Sequence, residues 1–184
     1  MKNWINFIAF QIVWFAAVGG AASSIWWAGP VALVIFAIYH FRSGVAVRGD
    51  FKLMGLALGL GFITDTLMAA SGLSTYSSPL PAAPLAPFWI LSLWAGFALT
   101  LNHSLHYLNA RPLIIAPLAA VVGPMSYYGA GHVWGAVTIA PPVWTALVVL
   151  GLCWLVAMTV LSLAARRFTR KPDNSVSLPL MRAP

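Results

Sequence analysis

Asp65 is the residue of this chain whose position most strongly suggests chemistry. It is the only charged residue in the apolar stretch 53–71. A carboxylate in the hydrocarbon of a membrane costs about 2.5–3.5 kcal/mol on insertion scales, so it persists where it has a partner or a task. We therefore take Asp65 as the first candidate catalytic residue, acting as a general acid or base or as a proton acceptor.

A second candidate pair, Asn102 and His103, lies in the apolar stretch 88–108. An imidazole exchanges protons near neutral pH, and a neighbouring amide can orient it. If this stretch is one continuous helix, Asn102, His103 and His106 share an arc of about 100° on its surface. His103, oriented by Asn102, is therefore a candidate for holding or relaying a proton.

Ser126 and Tyr127 complete the candidate catalytic set. Because a helix rises about 1.5 Å per residue, both residues come out level with Asp65. The Asn102–His103 pair lies roughly 10 Å nearer to the ends of the spans that carry the basic residues. The sequence thus predicts two polar layers and leaves open whether Asp65 and His103 meet in one site. The layer nearer to the basic ends is predicted to contain Gln11, Asn102, His103 and His106. The other layer is predicted to join Asp65, with Thr64 or Thr66, to Ser126 and Tyr127.

No metal site and no cofactor are predicted. His103 and His106 are spaced as two metal ligands on one helix can be, but a metal site needs three or four ligands and a supporting shell. The other histidines, His40 and His132, are expected at opposite ends of the spans. The chain also lacks glycine-rich phosphate loops and the Gly-x-Ser-x-Gly and His-Glu-x-x-His signatures of familiar enzymes.

The elements that must position these residues are membrane spans. Of the 184 residues, 61% are apolar and 7% are charged, whereas a soluble domain has about 25% charged residues. A helix needs about 20 apolar residues to cross a bilayer. The sequence predicts an all-α, polytopic six-helix bundle in residues 1–166 and a basic, disordered tail in 167–184. The predicted spans are 4–21, 24–41, 52–71, 88–108, 112–130 and 143–165.

The basic residues predict the orientation of the bundle. With six spans, every Lys and Arg falls on the same side, and the three connections on the other side carry none. The basic residues are Lys2, Arg42, Arg48, Lys52, Arg111, Arg166, Arg167, Arg170, Lys171 and Arg182. Because cytoplasmic loops are enriched in Lys and Arg, both termini are predicted to lie in the cytoplasm.

A cluster of charge after the last span predicts contact with lipid. It consists of Arg166, Arg167, Arg170 and Lys171. Near the anionic headgroups of a membrane each such charge is worth about 1 kcal/mol. The net charge of +7 is therefore explained by membrane orientation and anionic lipid, and no binding of nucleic acid is predicted.

Two further patterns concern packing and connections. Gly55 and Gly59 form a small-xxx-small face, which permits close contact with another helix. That helix can belong to this chain, to a partner membrane protein or to a second copy. The longest connection, 73–87, contains four prolines and is predicted to be an extended, polyproline-like connector.

The motifs together resemble a family of small multi-pass bacterial inner-membrane proteins classed as a domain of unknown function. The resemblance is carried by Asn6-Phe7-Ile8-Ala9-Phe10-Gln11, Asp65, Leu101-Asn102-His103-Ser104-Leu105, Gly123-Pro124-Met125-Ser126-Tyr127 and Gly131. It covers nearly all of the predicted membrane part. It implies a location in the bacterial plasma membrane, brings no assigned activity, and hints at envelope lipid metabolism because relatives lie near genes for fatty-acyl modification of phospholipids.

Three functions remain open from the sequence. The first is an intramembrane enzyme or lipid-handling protein that uses Asp65, Tyr127 and the Asn102–His103 pair. The second is a non-catalytic scaffold or accessory subunit that docks through its glycine face. The third is a small proton-coupled carrier in which Asp65 and His103 are stations of a relay. The sequence does not decide whether the chain is an enzyme, and it does not identify a substrate.

Overall fold

The computed structural model describes residues 2–169 and is mostly helical. Residues from 170 onward, including Arg170, Lys171 and the greater part of the predicted tail, lie outside the described residues. The helices are α1 (Lys2–Ala22), α2 (Ala28–Arg42), α3 (Asp50–Ala70), α4 (Phe88–Leu101), α5 (His106–Asn109), α6 (Pro112–Trp134) and α7 (Val143–Thr169). Two short strands, β1 (Ser74–Tyr76) and β2 (Val137–Ile139), interrupt them.

Four of these helices are long and apolar enough to cross a membrane, namely α1, α3, α6 and α7. The other two helices at predicted spans are shorter, with 15 residues in α2 and 14 in α4. A straight crossing of the hydrocarbon layer needs about 20 residues. The chain therefore has the helices of a membrane protein, while the six-span topology and its orientation stay predictions.

Helix α4 is the centre of the bundle. It packs against α1, α2 and α3, and α7 completes the arrangement by packing along α3 and α6. Trp89, Trp94, Leu99 and Leu101 of α4 are all at most 2% exposed. A helix that is apolar on every side belongs in the interior, so the side chains of α4 can meet several elements at once.

The fourth predicted span, 88–108, is not one helix. Helix α4 ends at Leu101, a turn follows, and α5 is a separate short helix. The prediction of a continuous helix is therefore wrong. The shared helical arc predicted for Asn102, His103 and His106 is wrong for the same reason, because Asn102 and His103 lie in the turn.

An asparagine on α1 stabilises this break. Asn6 is 6% exposed, and its Nδ2 donates to the carbonyl oxygen of Leu99 over 3.0 Å. Its Oδ1 accepts a hydrogen bond from Ser104 Oγ over 2.7 Å. Backbone can leave a helix at membrane depth only where neighbours satisfy the polar groups that are freed. Asn6 thus donates to a carbonyl oxygen before the turn and accepts from a hydroxyl after it.

The connection 73–87 contains a strand that the sequence analysis missed. Strands β1 and β2 pair antiparallel, with Ser74 opposite Ile139 and Tyr76 opposite Val137. Ser74 and Tyr76 are buried, whereas Thr75 between them is exposed. The all-α prediction thus holds for the bulk of the chain but not for this two-stranded sheet, and the purely polyproline-like connector is corrected.

One glycine of α3, Gly61, permits the close contact of α3 with α4. A Cβ atom on Gly61 would lie 2.3 Å from the indole ring of Trp94. Gly55 and Gly59, by contrast, have no atom within 4 Å of an added Cβ. The close packing predicted for the glycine face is therefore made by Gly61, and the predicted face at Gly55 and Gly59 is open in this chain.

Replacing Gly61 by alanine should lower the thermal stability of the protein. The Trp94 side chain is 2% exposed, so it cannot move aside, and overpacking of this kind costs about 1–3 kcal/mol. Thermal unfolding of the purified protein in detergent measures the effect. The matched control is Gly59→Ala, which meets open space and should leave the transition unchanged or raise it. Equal stability of the two variants would contradict the packing described here.

Candidate functional site

Two buried carboxylates on α3 organise the polar residues of the molecule. Asp50 begins the helix, and Asp65 lies 15 residues further on, about 22 Å along the axis. Both side chains are 0% exposed. We call the group of Asp65 with Tyr76, Trp94 and Tyr127 the Asp65 centre. The group of Asp50 with His40, Asn102 and His103 is the Asp50 centre.

The Asp65 carboxylate accepts hydrogen bonds from three neutral donors. Its Oδ1 accepts from Tyr76 Oη at 2.9 Å and from Tyr127 Oη at 2.8 Å. Its Oδ2 accepts from Trp94 Nε1 at 2.7 Å. Within residues 2–169 the salt bridges found involve Asp50 alone. Asp65 is therefore held by dipoles from three different elements and not by a basic side chain.

The backbone around Asp65 explains how these donors reach it. Gly61 precedes Asp65 by four residues and so lies on the same face of α3, where the Trp94 indole crosses it. Strand β1 places Tyr76 over the end of α3, and Ser74 Oγ donates to Tyr76 Oη over 3.0 Å. Burial raises the pKa of the Tyr76 hydroxyl far above its usual range, and the Asp65 carboxylate raises it further. Tyr76 therefore keeps its proton and donates it.

Tyr127 reaches Asp65 from α6, as its predicted height implied. The predicted proximity of these two residues is confirmed. Ser126 lies beside them, but its hydroxyl donates to the Gly123 carbonyl oxygen over 2.7 Å within its own helix. Ser126 thus satisfies the backbone near Pro124 and does not touch the carboxylate.

A cavity of about 330 Å³ adjoins the Asp65 centre. It is enclosed by α1, α4, α6 and α7, and aromatic rings form most of its wall. Trp94 and Tyr127, two of the three donors to Asp65, line it. Phe15 and Val122 are each 54% exposed and mark its mouth on the outer surface of the bundle, between α1 and α6. The cavity is therefore in contact with Asp65 through two side chains.

The Asp50 carboxylate has four hydrogen-bond donors. Its Oδ2 accepts from the Val47 amide at 2.9 Å, and contacts His40 Nε2 at 2.9 Å and His103 Nε2 at 2.8 Å. Its Oδ1 accepts from Asn102 Nδ2 at 2.9 Å. The two imidazole rings meet edge to face, with centroids 4.5 Å apart. The predicted pair Asn102 and His103 therefore acts on one carboxylate, and it is not that of Asp65.

The local backbone at the start of α3 explains the position of Asp50. Gly49 has a φ of +95°, in the left-handed region. A Cβ at Gly49 would also lie 2.4 Å from the Phe168 side chain. Only glycine fits both the turn and the contact with α7. The turn then directs Asp50 inward, toward the end of α2 and the break after α4.

Three atoms of the Asp50 centre are arranged as metal ligands can be. The ligand atoms of His40, Asp50 and His103 lie within 4.8 Å of one another, and three protein ligands are the number found in catalytic zinc sites. However, His40 Nδ1 is buried and has no partner among the described residues. A metal-binding histidine normally donates its second N–H. We therefore describe this centre as a hydrogen-bonded cluster.

The remaining predicted members of the two layers lie elsewhere. Gln11 lines the cavity and not the Asp50 centre. His106 begins α5 and faces a second pocket. Thr66 accepts a hydrogen bond from the Ala86 amide over 3.0 Å and so anchors the connection 73–87. Asp65 and His103 therefore belong to two separate centres.

One comparison with known protein families found a match. A family model described as a protein of unknown function, DUF2878, matches residues 3–160. The chain belongs to the DUF2878 family. The predicted membership of a domain of unknown function is confirmed. No curated protein and no solved structure matches the chain.

Four residues of the two centres of this DUF2878 protein were not predicted from its sequence. They are His40, Asp50, Tyr76 and Trp94. Asp50 and His40 stand at helix ends, where an acidic first turn and a basic last turn are expected for the helix dipole. Tyr76 had a usable signal, because alternating β-branched and aromatic residues between turns indicate a strand. Trp94 had none, because a tryptophan in an apolar span is expected for packing alone.

Removal of the Tyr76 hydroxyl should destabilise the DUF2878 fold. In Tyr76→Phe the Asp65 carboxylate loses one of three donors and the buried Ser74 hydroxyl loses its acceptor, and a buried polar group without a partner costs about 1–3 kcal/mol. Thermal unfolding in detergent should show a clear decrease. Tyr39→Phe is the control, because Tyr39 is 43% exposed. A loss as large in Tyr39→Phe would show that the Asp65 centre is not the cause.

Proposed function

We propose that this protein handles lipid within the membrane, by holding an apolar chain in the cavity between α1, α4, α6 and α7 and presenting it to Tyr127. One observation carries the proposal. Tyr127 both lines the cavity and donates to the buried carboxylate of Asp65. A ligand in the cavity would therefore lie beside a side chain that is directly coupled to Asp65.

The size and the lining of the cavity favour an apolar ligand. Its volume of about 330 Å³ is within the range of about 300–1,000 Å³ for small-molecule sites, which are mostly apolar with a few polar groups. Rings from α1, α4 and α7 cover its wall, among them Phe10, Phe97 and Trp154. Its mouth at Phe15 and Val122 is on the surface of the helices, where acyl chains are the solvent of a membrane protein.

A few polar groups in the wall favour a ligand that is not a plain hydrocarbon. Gln11, Ser126 and Tyr127 face the cavity. The Trp154 indole N–H is buried and has no acceptor among the described residues. An unsatisfied buried donor costs about 1–3 kcal/mol, which a ligand oxygen would recover. An acyl chain with an ester, a hydroxyl or a similar oxygen fits these donors and acceptors.

The coupling of Tyr127 to Asp65 supplies a route for a proton. The Tyr127 hydroxyl uses its proton to donate to Asp65, and its oxygen can accept a hydrogen bond from a ligand. When the ligand gives its proton to the Tyr127 oxygen, the phenolic proton passes to the Asp65 carboxylate. The tyrosine ends neutral, the aspartic acid is protonated, and the ligand carries the negative charge. Asp65 thus acts as the base, and Tyr127 is the group that touches the ligand.

The distribution of charge supports a place for this activity. We propose the bacterial inner membrane, with both termini in the cytoplasm. Arg42 and Arg166 lie in the last turns of α2 and α7. Arg48 and Arg111 precede α3 and α6, at the same end of the bundle, which holds the Asp50 centre. Basic residues collect on the cytoplasmic side. The Asp65 centre, at the opposite end of α3, then faces the outer half of the bilayer.

A bulky residue at the mouth of the cavity should reduce the lipid that the protein retains. Val122→Trp places an indole at the mouth, where the side chain is 54% exposed and has room. The matched control is Val121→Trp, because Val121 is 59% exposed and lines a different groove. We expect lipid species that co-purify with the wild type above their share of the membrane to fall several-fold in Val122→Trp only. Mass spectrometry of the purified proteins measures this.

The outcomes separate lipid binding from chemistry. Equal lipid content in the wild type and in both tryptophan variants would contradict the lipid-binding proposal. The proton route is tested in a deletion strain that carries wild type, Tyr127→Phe or Asp65→Asn at matched protein levels. We expect a lipid species that is lost on deletion to return with the wild type and not with Tyr127→Phe. Full restoration by both variants would overturn the proton route and leave a lipid-holding role.

A scaffold is a second candidate, because of one observation. Gly55 and Gly59 have open space in front of them, so another transmembrane helix can approach α3 closely on that side. A scaffold should tolerate Tyr127→Phe and lose its partner in Gly59→Leu. The carrier hypothesis needed a relay from Asp65 to His103. These residues bond to different partners in the two centres, so no observation favours the carrier.

A further inference from the structure

A second pocket, at the end of the bundle that holds the Asp50 centre, has a different chemical character from the lipid cavity. Its volume is about 440 Å³. Two arginines, Arg48 and Arg166, contribute to its wall together with His106, Asn102 and Asn109. Among residues 2–169, no acidic side chain lines it. The pocket is therefore a basic, hydrogen-bonding recess at a membrane boundary.

The two arginines differ from other basic residues of this end. The Arg111 guanidinium stacks over the Tyr107 ring at 4.2 Å, and Lys52 Nζ lies 5.9 Å from the Phe168 ring centre. Those cations are held against aromatic faces, outside the pocket. Arg48 and Arg166 instead line it, and the salt bridges of the described residues include neither. Their charge is available to an anion.

We propose that this pocket binds a phosphate group, as part of a ligand that also carries a hydroxyl or ammonium donor. Guanidinium groups match the oxygens of phosphate with two parallel N–H donors each. Two arginines and an imidazole around one recess form a site that can bind several oxygens of one anion. The site is at the opposite end of the molecule from the Asp65 centre, and it does not depend on the proposed function of the lipid cavity.

An unsatisfied asparagine in the pocket indicates the second group of the ligand. Asn109 is 4% exposed, and its Oδ1 is buried and has no hydrogen-bond partner in the part of the chain that the structure describes. Buried side-chain oxygens are nearly always bonded. A phosphate has only acceptors when fully ionised, so it cannot satisfy this oxygen. A hydroxyl or an ammonium group next to the phosphate can.

The walls of the pocket are held in place before a ligand arrives. Arg166 Nη2 donates to the carbonyl oxygen of Ala110, so the guanidinium is anchored to the start of α6. Asn102 and Val47 are both bonded to the buried Asp50 carboxylate. A site whose groups are already ordered loses less entropy when the ligand binds. The Asp50 centre thus serves as the rigid back wall of the pocket.

The same chemistry has two sources at a membrane boundary. One is the headgroup of a phospholipid such as phosphatidylglycerol, which carries a phosphodiester and two hydroxyls. The other is a soluble phosphate ester such as glycerol phosphate. Both place a hydroxyl donor on the second carbon from the phosphate ester oxygen. Binding of either supports the proposal, and the comparison between them identifies the source.

Titration of the purified protein in an uncharged detergent tests the site. The probes are inorganic phosphate, sn-glycerol 3-phosphate and a short-chain phosphatidylglycerol, and calorimetry measures the binding. We expect saturable binding of the glycerol phosphate or the phosphatidylglycerol, weakened about tenfold or more in Arg48→Gln and Arg166→Gln, because each removes charge-assisted hydrogen bonds. The matched control is Arg167→Gln, which removes one adjacent charge that does not line the pocket.

A further variant separates the two parts of the site. Asn109→Leu should weaken the glycerol-bearing probes more than inorganic phosphate, because only the former carry a hydroxyl beyond the phosphate that can donate to Oδ1 while the phosphate stays on the arginines. Equal effects of Arg166→Gln and Arg167→Gln would show that net charge alone attracts the anions, and would overturn the proposal. Absence of saturable binding for all three probes would overturn it as well.

Discussion

The rest of the structure depends on one constraint, that a carboxylate withdrawn from water must be bonded on both oxygens. Asp50 and Asp65 are each 0% exposed, and a buried charge without partners is far too costly to survive. In a membrane, apolar packing alone gives helices little reason to associate, because lipid tails are as apolar as leucine. The two carboxylates therefore do what a hydrophobic core does in water. Each draws donors from several elements to one point.

The irregular parts of the fold are the consequence. Asp65 needs a donor from beyond the end of α3, and strand β1 supplies Tyr76. Asp50 needs donors from the end of α4, and the turn after Leu101 supplies Asn102 and His103. In this turn both side chains point at one carboxylate, whereas an uninterrupted helix over 88–108 would separate their directions by about 100°. The break after Leu101, and the asparagine on α1 that stabilises it, are therefore explained by the need of the buried Asp50 carboxylate for hydrogen-bond donors.

This explains what the sequence could and could not predict. Spans and relative heights follow from hydropathy and helical rise, so the proximity of Asp65 and Tyr127 was within reach. The Asp50 centre was not, because each of its members has a sufficient local explanation. Asp50 suits a helix start, His40 suits a helix end, and Asn102 and His103 suited a helix face that does not form. Only the three-dimensional structure shows that these residues meet. The turns bring them together, and hydropathy does not describe turns.

Neither carboxylate faces a ligand space directly. Tyr127 and Trp94 stand between Asp65 and the aromatic cavity enclosed by α1, α4, α6 and α7, and Asn102 and the Val47 amide stand between Asp50 and the basic pocket. In both centres the carboxylate is thus separated from the open space by groups that are hydrogen-bonded to it. A charge that touched the membrane-side cavity would oppose the entry of an apolar chain, whereas a neutral phenol bonded to that charge does not. In the same way, the Asp50 carboxylate orders the wall of the basic pocket without neutralising the positive charge of the pocket, because both carboxylate oxygens are already bonded to their own donors. The side chains that border the open space are therefore the ones bonded to the aspartates, and substitution of either aspartate would remove the acceptor that holds them in place.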